Sequence, residues 1–145
     1  MNARVGALMG VLFLLLVMAG AAGASQECPK GLEPVTNYRM LFGLKDKDDK
    51  AITEDQWQRF LAGEITPRFP AGLTVFDANG QWLPPSGKLE REPVKVVLVA
   101  VSEDPAQSIK RVHEISAEYA KRFNQYAVYL MAASSCAGTY PPVPG

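Results

Sequence analysis

The sequence contains few of the residues from which metal and nucleophilic sites are usually built. Of its 145 residues, one is histidine and two are cysteine, and 15 lysines and arginines balance 15 aspartates and glutamates. A chain without a basic excess does not have the composition of a nucleic-acid-binding protein. No group of histidine, cysteine and acidic residues has the spacing of a zinc site, so we expect no metal and no other cofactor.

The longest apolar run lies at the N-terminus and has the three-part layout of a secretory signal peptide. Arg4 supplies a positive charge, an apolar run continues to about Met18, and the small residues AGA follow at 22–24. We expect cleavage before Ser25, so that residues 1–24 are a signal peptide and the protein is periplasmic or secreted. The alternative is an uncleaved anchor, because a spanning helix needs about 20 apolar residues. Only this segment would then contact a membrane.

Cys28 and Cys136 are the two cysteines of the chain. An even number of cysteines in an exported protein favours a disulfide over two free thiols. A catalytic thiol is the alternative, but the sequence around Cys136 contains no residue that would activate it. We therefore predict a disulfide between Cys28 and Cys136.

Hydrophobic periodicity predicts four strands and two helices. Thr53 and Gln56 form a capping box that begins the first helix, and Pro67 predicts its end near residue 65. Asn79-Gly80 is typical of a tight hairpin turn and predicts a chain reversal there, with Gln81 and Trp82 on the return. Asp104 is expected to cap the second helix. The expected order is strand 38–44, helix 53–65, strands 73–77 and 94–101, helix 105–124 and strand 126–133.

This βαββαβ order is typical of a ferredoxin-like α+β sandwich, in which two helices cover an antiparallel sheet with strand order 4-1-3-2. The end of the last strand then lies beside the start of the first, which brings Cys136 and Cys28 to the same end of the sheet. We predict a domain over residues 38–136, an N-terminal extension over 25–37 and a proline-rich tail over 137–145.

The strand at 94–101 is apolar at both alternating sets of positions, which indicates that both of its faces are covered. Two helices can cover only one face of the sheet. The other face would meet the chain termini, a ligand or a second copy of the sheet, and of these we favour a symmetric homodimer.

The charged turn at residues 45–50 does not fit a calcium loop. Ala51 stands where the loop needs glycine, and Trp57 stands where a bidentate glutamate belongs. His113 is expected to flank the core of the second helix. No glycine-rich phosphate loop and no G-x-S-x-G motif is present, so the sequence predicts no particular reaction.

Two classes of function stay open at this stage. The first is a binding or interaction module for a protein partner or a small ligand, for which an anion is one candidate. The alternative is a small cofactor-independent enzyme with its site in a cavity on the sheet face, where His113 or a buried carboxylate beside Arg39 would supply a titratable group with a shifted pKa. Candidate ligand-binding residues are Arg39, Arg68, Trp82 and Lys95. Arg68 could equally bond the last carbonyls of its helix, and Trp82 could cover the core.

Three stretches of the chain resemble a family of exported bacterial proteins, domain-of-unknown-function family 3574. They are residues 38–44 (YRMLFGL), 53–82 and 91–99 (REPVKVVLV), and the similarity covers roughly residues 38–129. The order of the short motifs FGL at 42–44, TPRF at 66–69, GQW at 80–82 and REP at 91–93 makes it fairly specific. The family has no assigned catalytic residues, so the resemblance implies a recurring exported domain and no activity.

Overall fold

The computed structural model of this chain describes residues 27–83 and 85–141. The predicted signal peptide lies outside these residues. The elements are β1 (Glu33–Gly43), α1 (Glu54–Phe60), β2 (Thr74–Trp82), β3 (Glu90–Val101), α2 (Pro105–Arg122) and β4 (Tyr129–Ala137). In the described part of the chain, no helix combines the length and the apolar character needed to cross a bilayer.

The four strands form one antiparallel sheet with the order β2-β3-β1-β4. This is the predicted order 4-1-3-2 counted from the other edge. The predicted α+β fold with two helices and a four-stranded antiparallel sheet is therefore confirmed.

The core lies between the sheet and the two helices. Along β1, Tyr38, Met40 and Phe42 alternate toward the helices and are at most 2% exposed. Tyr119 of α2 packs against Phe42 at a ring-centroid distance of 4.8 Å and against Phe60 of α1 at 5.0 Å. Each such side chain contributes roughly 1.5–3 kcal/mol through burial, so this aromatic cluster fixes the helices on one face.

The capping box at the start of α1 forms as predicted. The Gln56 N–H donates to Thr53 Oγ1 at 3.2 Å, and the Thr53 N–H donates to Gln56 Oε1 at 2.9 Å. The helix continues beyond α1 as a π-helical turn (Leu61–Ile65) that ends at the predicted position, and a short 3-10 turn (Thr66–Arg68) follows it. Pro67 lies in the first turn of that last segment, where a helix needs no N–H donor from it.

The predicted reversal at Asn79-Gly80 is wrong. Strand β2 continues through both residues to Trp82, with Asn79 paired to Pro93 and Gly80 paired to Glu92 of β3. Pairing with a neighbouring strand here overrides the local turn preference of the dipeptide. The chain reverses after β2, in the segment where Gly87 has a φ of 74°.

The predicted disulfide is present. Cys28 and Cys136 are bonded with their Cα atoms 5.6 Å apart, and 108 residues separate them in sequence. Strands β1 and β4 are both longer than predicted, so that Pro34 pairs with Cys136 at the edge of the sheet. A disulfide of this kind is consistent with an exported protein.

Candidate functional site

The sheet face that the helices leave free, here called the outer face, is formed by alternate residues of all four strands. One row across it consists of Phe76, Val96, Leu41 and Tyr129, which are partners in the strand register. Phe76 is 51% exposed and Tyr129 is 65% exposed. The outer face of a single chain is therefore apolar and open to solvent.

A cavity of about 330 Å³ opens at one end of the outer face, where β1 and β2 end and β3 begins. We call it the Glu92 cavity, and its walls include Lys45, Lys47, Trp82, Glu90, Glu92 and Tyr126. Strand pairing brings these residues together, because Glu90 is the register partner of Trp82 and Glu92 that of Gly80.

Glu92 is a half-buried carboxyl group at the base of this cavity. Burial raises the pKa of Glu92, and a hydrogen bond from the Lys45 backbone N–H, together with the charge of Lys45, opposes this shift only in part. The carboxyl lies over Gly43, where a Cβ atom would be only 2.6 Å from Glu92 Oε1. The absence of a side chain on Gly43 thus makes room for the carboxyl.

Side chains of α2 and of the segment after it bind the backbone carbonyls next to Glu92. The Tyr119 hydroxyl donates to the Gly43 carbonyl at 2.7 Å, and the Gln125 amide donates to the same oxygen at 3.2 Å and to the Lys45 carbonyl. Burial, and to a smaller extent the charge of Glu92, raises the pKa of Tyr119, so its hydroxyl remains a hydrogen-bond donor. These contacts give Glu92 a rigid support.

Two aromatic side chains border the cavity. Trp82 is 48% exposed, and the Lys47 Nζ atom lies 5.0 Å from the centre of the Tyr126 ring. An exposed indole beside carboxylates can stack on a planar or cationic ligand. A half-buried carboxyl group with a raised pKa is a candidate general acid or base toward such a ligand.

The structure does not bring the four predicted ligand-binding residues together. Trp82 lines the Glu92 cavity, whereas Arg39 is exposed on the outer face, four residues before Gly43. Lys95 faces the helices and is 6% exposed. His113, the sole histidine, is exposed on α2 rather than within a cavity.

Arg68 lies at the opposite end of the sheet. It lines a separate cavity of about 250 Å³ together with Phe69 and Arg111. Its guanidinium donates to the Glu64 carbonyl at 2.7 Å and to the Glu64 carboxylate at 2.9 Å. The helix-end role that the sequence left open for Arg68 is thus the one that its contacts support.

Sequence reasoning missed Glu92. The alternation of β3 places Glu92 on the same face as Val94 and Val96, which is a signal that the sequence contained. Its burial depends on Gly43 of another strand, however, and that contact has no local signature.

The family comparison confirms the resemblance inferred from the motifs. A family model described as a protein of unknown function (DUF3574) matches residues 37–138. No curated protein gives a significant match to the sequence.

Two solved structures share the fold. A phage SAM lyase in complex with S-methyl-5'-thioadenosine has a TM-score of 0.56 and 15% sequence identity, covering 79% of this chain and 95% of that chain. A phage SAM lyase in the apo state has a TM-score of 0.53 and 17% identity, covering 81% of this chain and 99% of that chain. At such identities the likeness is one of fold.

These structures correct the hypothesis that the domain is a binding or interaction module. Both neighbours are enzymes, and both share the sheet and helix arrangement over most of this chain. They therefore favour the alternative expectation, a small enzyme, over the binding module.

Proposed function

The chain belongs to the DUF3574 family, and we propose that it is a small cofactor-independent enzyme with its active site in the Glu92 cavity. The observation that carries this proposal is the half-buried carboxyl of Glu92, whose pKa is raised, at the base of an open cavity bordered by aromatic residues. Perturbed titratable groups in cavities are typical of catalytic sites.

In this proposal Glu92 is the general acid or base. The Lys45 N–H bond and the missing side chain of Gly43 fix the position of the carboxyl, which general acid–base catalysis requires. Trp82 would stack on a planar part of the substrate, with Glu90 beside it. A lyase reaction suits this arrangement, because a single base can take a proton from carbon while the leaving group departs with its bonding electrons.

SAM is the first compound to test, since phage enzymes of this fold are SAM lyases. A positively charged sulfur would be attracted by Glu90, although Lys45, Lys47 and Arg91 also line the cavity. An adenine ring would stack on Trp82. The disulfide fits an exported protein, so small molecules of that compartment must be tested in the same way. SAM serves here as a probe of the site.

The test compares wild type with Glu92→Gln. Release of S-methyl-5'-thioadenosine from SAM is followed by chromatography, and binding of each compound is followed by the fluorescence of Trp82, with Trp82→Phe to assign the signal. We expect Glu92→Gln to lower turnover by about 10²–10⁴-fold with little loss of binding. Glu33→Gln, which changes an exposed carboxylate at the start of β1, is the matched control.

Two results would contradict the proposal in different ways. Turnover that is equal in wild type and Glu92→Gln would remove Glu92 from the reaction. A lack of any Trp82 signal with SAM, with S-methyl-5'-thioadenosine and with a small-molecule extract of the native compartment would remove the cavity as a ligand site.

A further inference from the structure

We propose that the chain forms a symmetric dimer through its outer face, in which Arg39 of each copy pairs with Glu92 of the other and so completes the Glu92 cavity. In the dimer, Arg39 would lower the pKa of Glu92 relative to the single chain and favour the ionised form, so that Glu92 would act as a base; this consequence rests on the proposed function. The pairing itself is argued from the register and the charges of the sheet.

On the outer face, Arg39 and the carboxyl group of Glu92 lie at about equal distances on opposite sides of Leu41. Arg39 precedes Leu41 by two residues along β1, and Gly43 follows it by two. The carboxyl of Glu92 occupies the outer side of Gly43, within 2.6–2.9 Å of the Cβ position. Each two-residue interval is about 6.6 Å long. The face therefore presents a cation, an apolar residue and an anion in line.

Such a line of charges is complementary to itself. A two-fold axis that passes through Leu41 in the plane of the interface, perpendicular to the strands, places Arg39 opposite Gly43 of the second copy. Arg39 then meets the carboxyl of Glu92 in that copy. The same axis runs along the apolar row, so that Phe76 and Tyr129 each face their own equivalents. This is the isologous geometry of a closed dimer.

The Arg39 guanidinium and the Glu92 carboxylate would both be stabilised by this contact. Within the described residues, the Arg39 side chain is exposed and has no hydrogen bond or ion pair. Glu92 receives the Lys45 N–H, but its burial still disfavours the ionised form. A guanidinium forms strong charge-assisted hydrogen bonds to a carboxylate, which makes it a suitable partner for a carboxylate removed from water.

The size and composition of the outer face also suit a second copy. Four strands at their usual spacing are roughly 19 Å wide, and nine residues extend roughly 30 Å. Such a face has a plane area of roughly 570 Å², which is below the roughly 800 Å² that each partner contributes to a standard interface but above the roughly 500 Å² per partner that a specific interface requires. The exposed Phe76, Tyr129 and Met131 supply its apolar part.

Sedimentation equilibrium of wild type and three charge variants tests the pairing. We expect wild type to have twice the mass of one chain. Arg39→Glu and Glu92→Arg should each raise the dimer dissociation constant by more than about tenfold, because like charges then face each other. The double variant should recover most of this loss. A monomeric or trimeric wild type, or a double variant no better than the single ones, would overturn the proposal.

A crosslinking experiment avoids the risk that Glu92→Arg disturbs folding. Leu41→Cys lies on the proposed axis, so two copies should be joined by a thiol crosslinker that spans about the 10 Å between packed sheets. Ala100→Cys is the control, since Ala100 lies four residues from Val96 on the same face and its two copies would be about 26 Å apart. Equal crosslinking of both variants, or none of Leu41→Cys, would contradict the axis.

The mass and crosslinking measurements do not depend on any activity, so the two proposals fail separately. If wild type is a dimer and its turnover is unchanged by Glu92→Gln, the interface proposal stands and the enzyme proposal is contradicted. If wild type is a monomer and its turnover depends on Glu92, the enzyme proposal stands and the interface proposal is contradicted.

Discussion

The carboxyl of Glu92 occupies the space that a side chain on Gly43 would fill. A Cβ atom on Gly43 would lie 2.6 and 2.8 Å from the two carboxyl oxygens of Glu92. The backbone at Gly43 is not in the left-handed region, so alanine can adopt it without strain. An added Cβ atom would therefore displace the flexible end of the Glu92 side chain and leave the backbone of β1 in place.

We predict that Gly43→Ala moves the Glu92 carboxyl toward solvent. Because burial is the main cause of its raised pKa, the pKa of Glu92 should fall toward its ordinary value. Carboxyl-carbon NMR titration of wild type and Gly43→Ala measures this change. Gly63→Ala is the control, since no atom lies within 4 Å of the Cβ position there. An identical titration of Glu92 in Gly43→Ala and wild type would show that Gly43 does not position the carboxyl.

The fold could be predicted from the sequence because its elements depend on local patterns. The capping box at Thr53, the helix cap at Asp104 and the alternation of β3 each have a short-range cause, and the order of the elements along the chain predicts the strand order. The wrong prediction at Asn79-Gly80 arose because the pairing of β2 with β3 overrides a local turn preference.

The candidate site could be predicted only in part. Trp82 is a candidate from the sequence, which left open whether it covers the core or binds a ligand. Glu92 is not a candidate from the sequence, since its burial depends on Gly43 in a strand nearly fifty positions earlier and on support from Tyr119. Titratable groups acquire shifted pKa values from neighbours that only the folded chain supplies.

Loss of the Cys28–Cys136 disulfide should destabilise the protein by about 2–5 kcal/mol, because the bond closes a long loop and restricts the unfolded chain. Urea unfolding with and without reductant measures this loss. The Cys28→Ser/Cys136→Ser variant should unfold at the midpoint of the reduced protein and should not respond to reductant. Two thiols that react with an alkylating agent before reduction would contradict the disulfide.

The Tyr119→Phe substitution should cost about 0.5–1.5 kcal/mol, the usual net contribution of one hydrogen bond. It removes the donor at 2.7 Å from the Gly43 carbonyl and leaves only the weaker Gln125 amide there. Equilibrium unfolding in urea provides the measurement. Tyr140→Phe is the matched control, because Tyr140 is 97% exposed. Equal stability of Tyr119→Phe and wild type would show that this bond does not support the end of β1.

Lys95 is almost fully buried and connects two strands to the first helix. Its Nζ atom lies 2.6 Å from Asp77 and 2.7 Å from Glu54. The hydrogen bond from Lys95, and then that from Gln58, lowers the pKa of Glu54 below its ordinary value of 4.5. Hydrogen bonds to Asp77 and Glu54 raise the pKa of Lys95 above its ordinary value of 10.5. The lysine is thus charged at every pH at which Glu54 titrates.

We predict that the stability of wild type relative to Lys95→Met decreases as the pH falls. A carboxyl whose pKa is lower in the folded than in the unfolded chain stabilises the fold fully above the unfolded value, near 4.5 for Glu54. This contribution is lost as the pH falls through the lower, folded value. In Lys95→Met the main cause of the shift is absent, so less stability depends on the ionisation of Glu54. Urea unfolding at about pH 6 and pH 3 measures the difference.

The matched control for this prediction is Lys88→Met, which removes an exposed lysine that has no ion pair among the described residues. Its stability relative to wild type should be similar at both pH values. If wild type and Lys95→Met differ by the same free energy of unfolding at pH 6 and at pH 3, the bond between Lys95 and Glu54 does not contribute to the fold. Glu54→Gln provides an independent check, because it should reduce the acid sensitivity of wild type and leave that of Lys95→Met nearly unchanged.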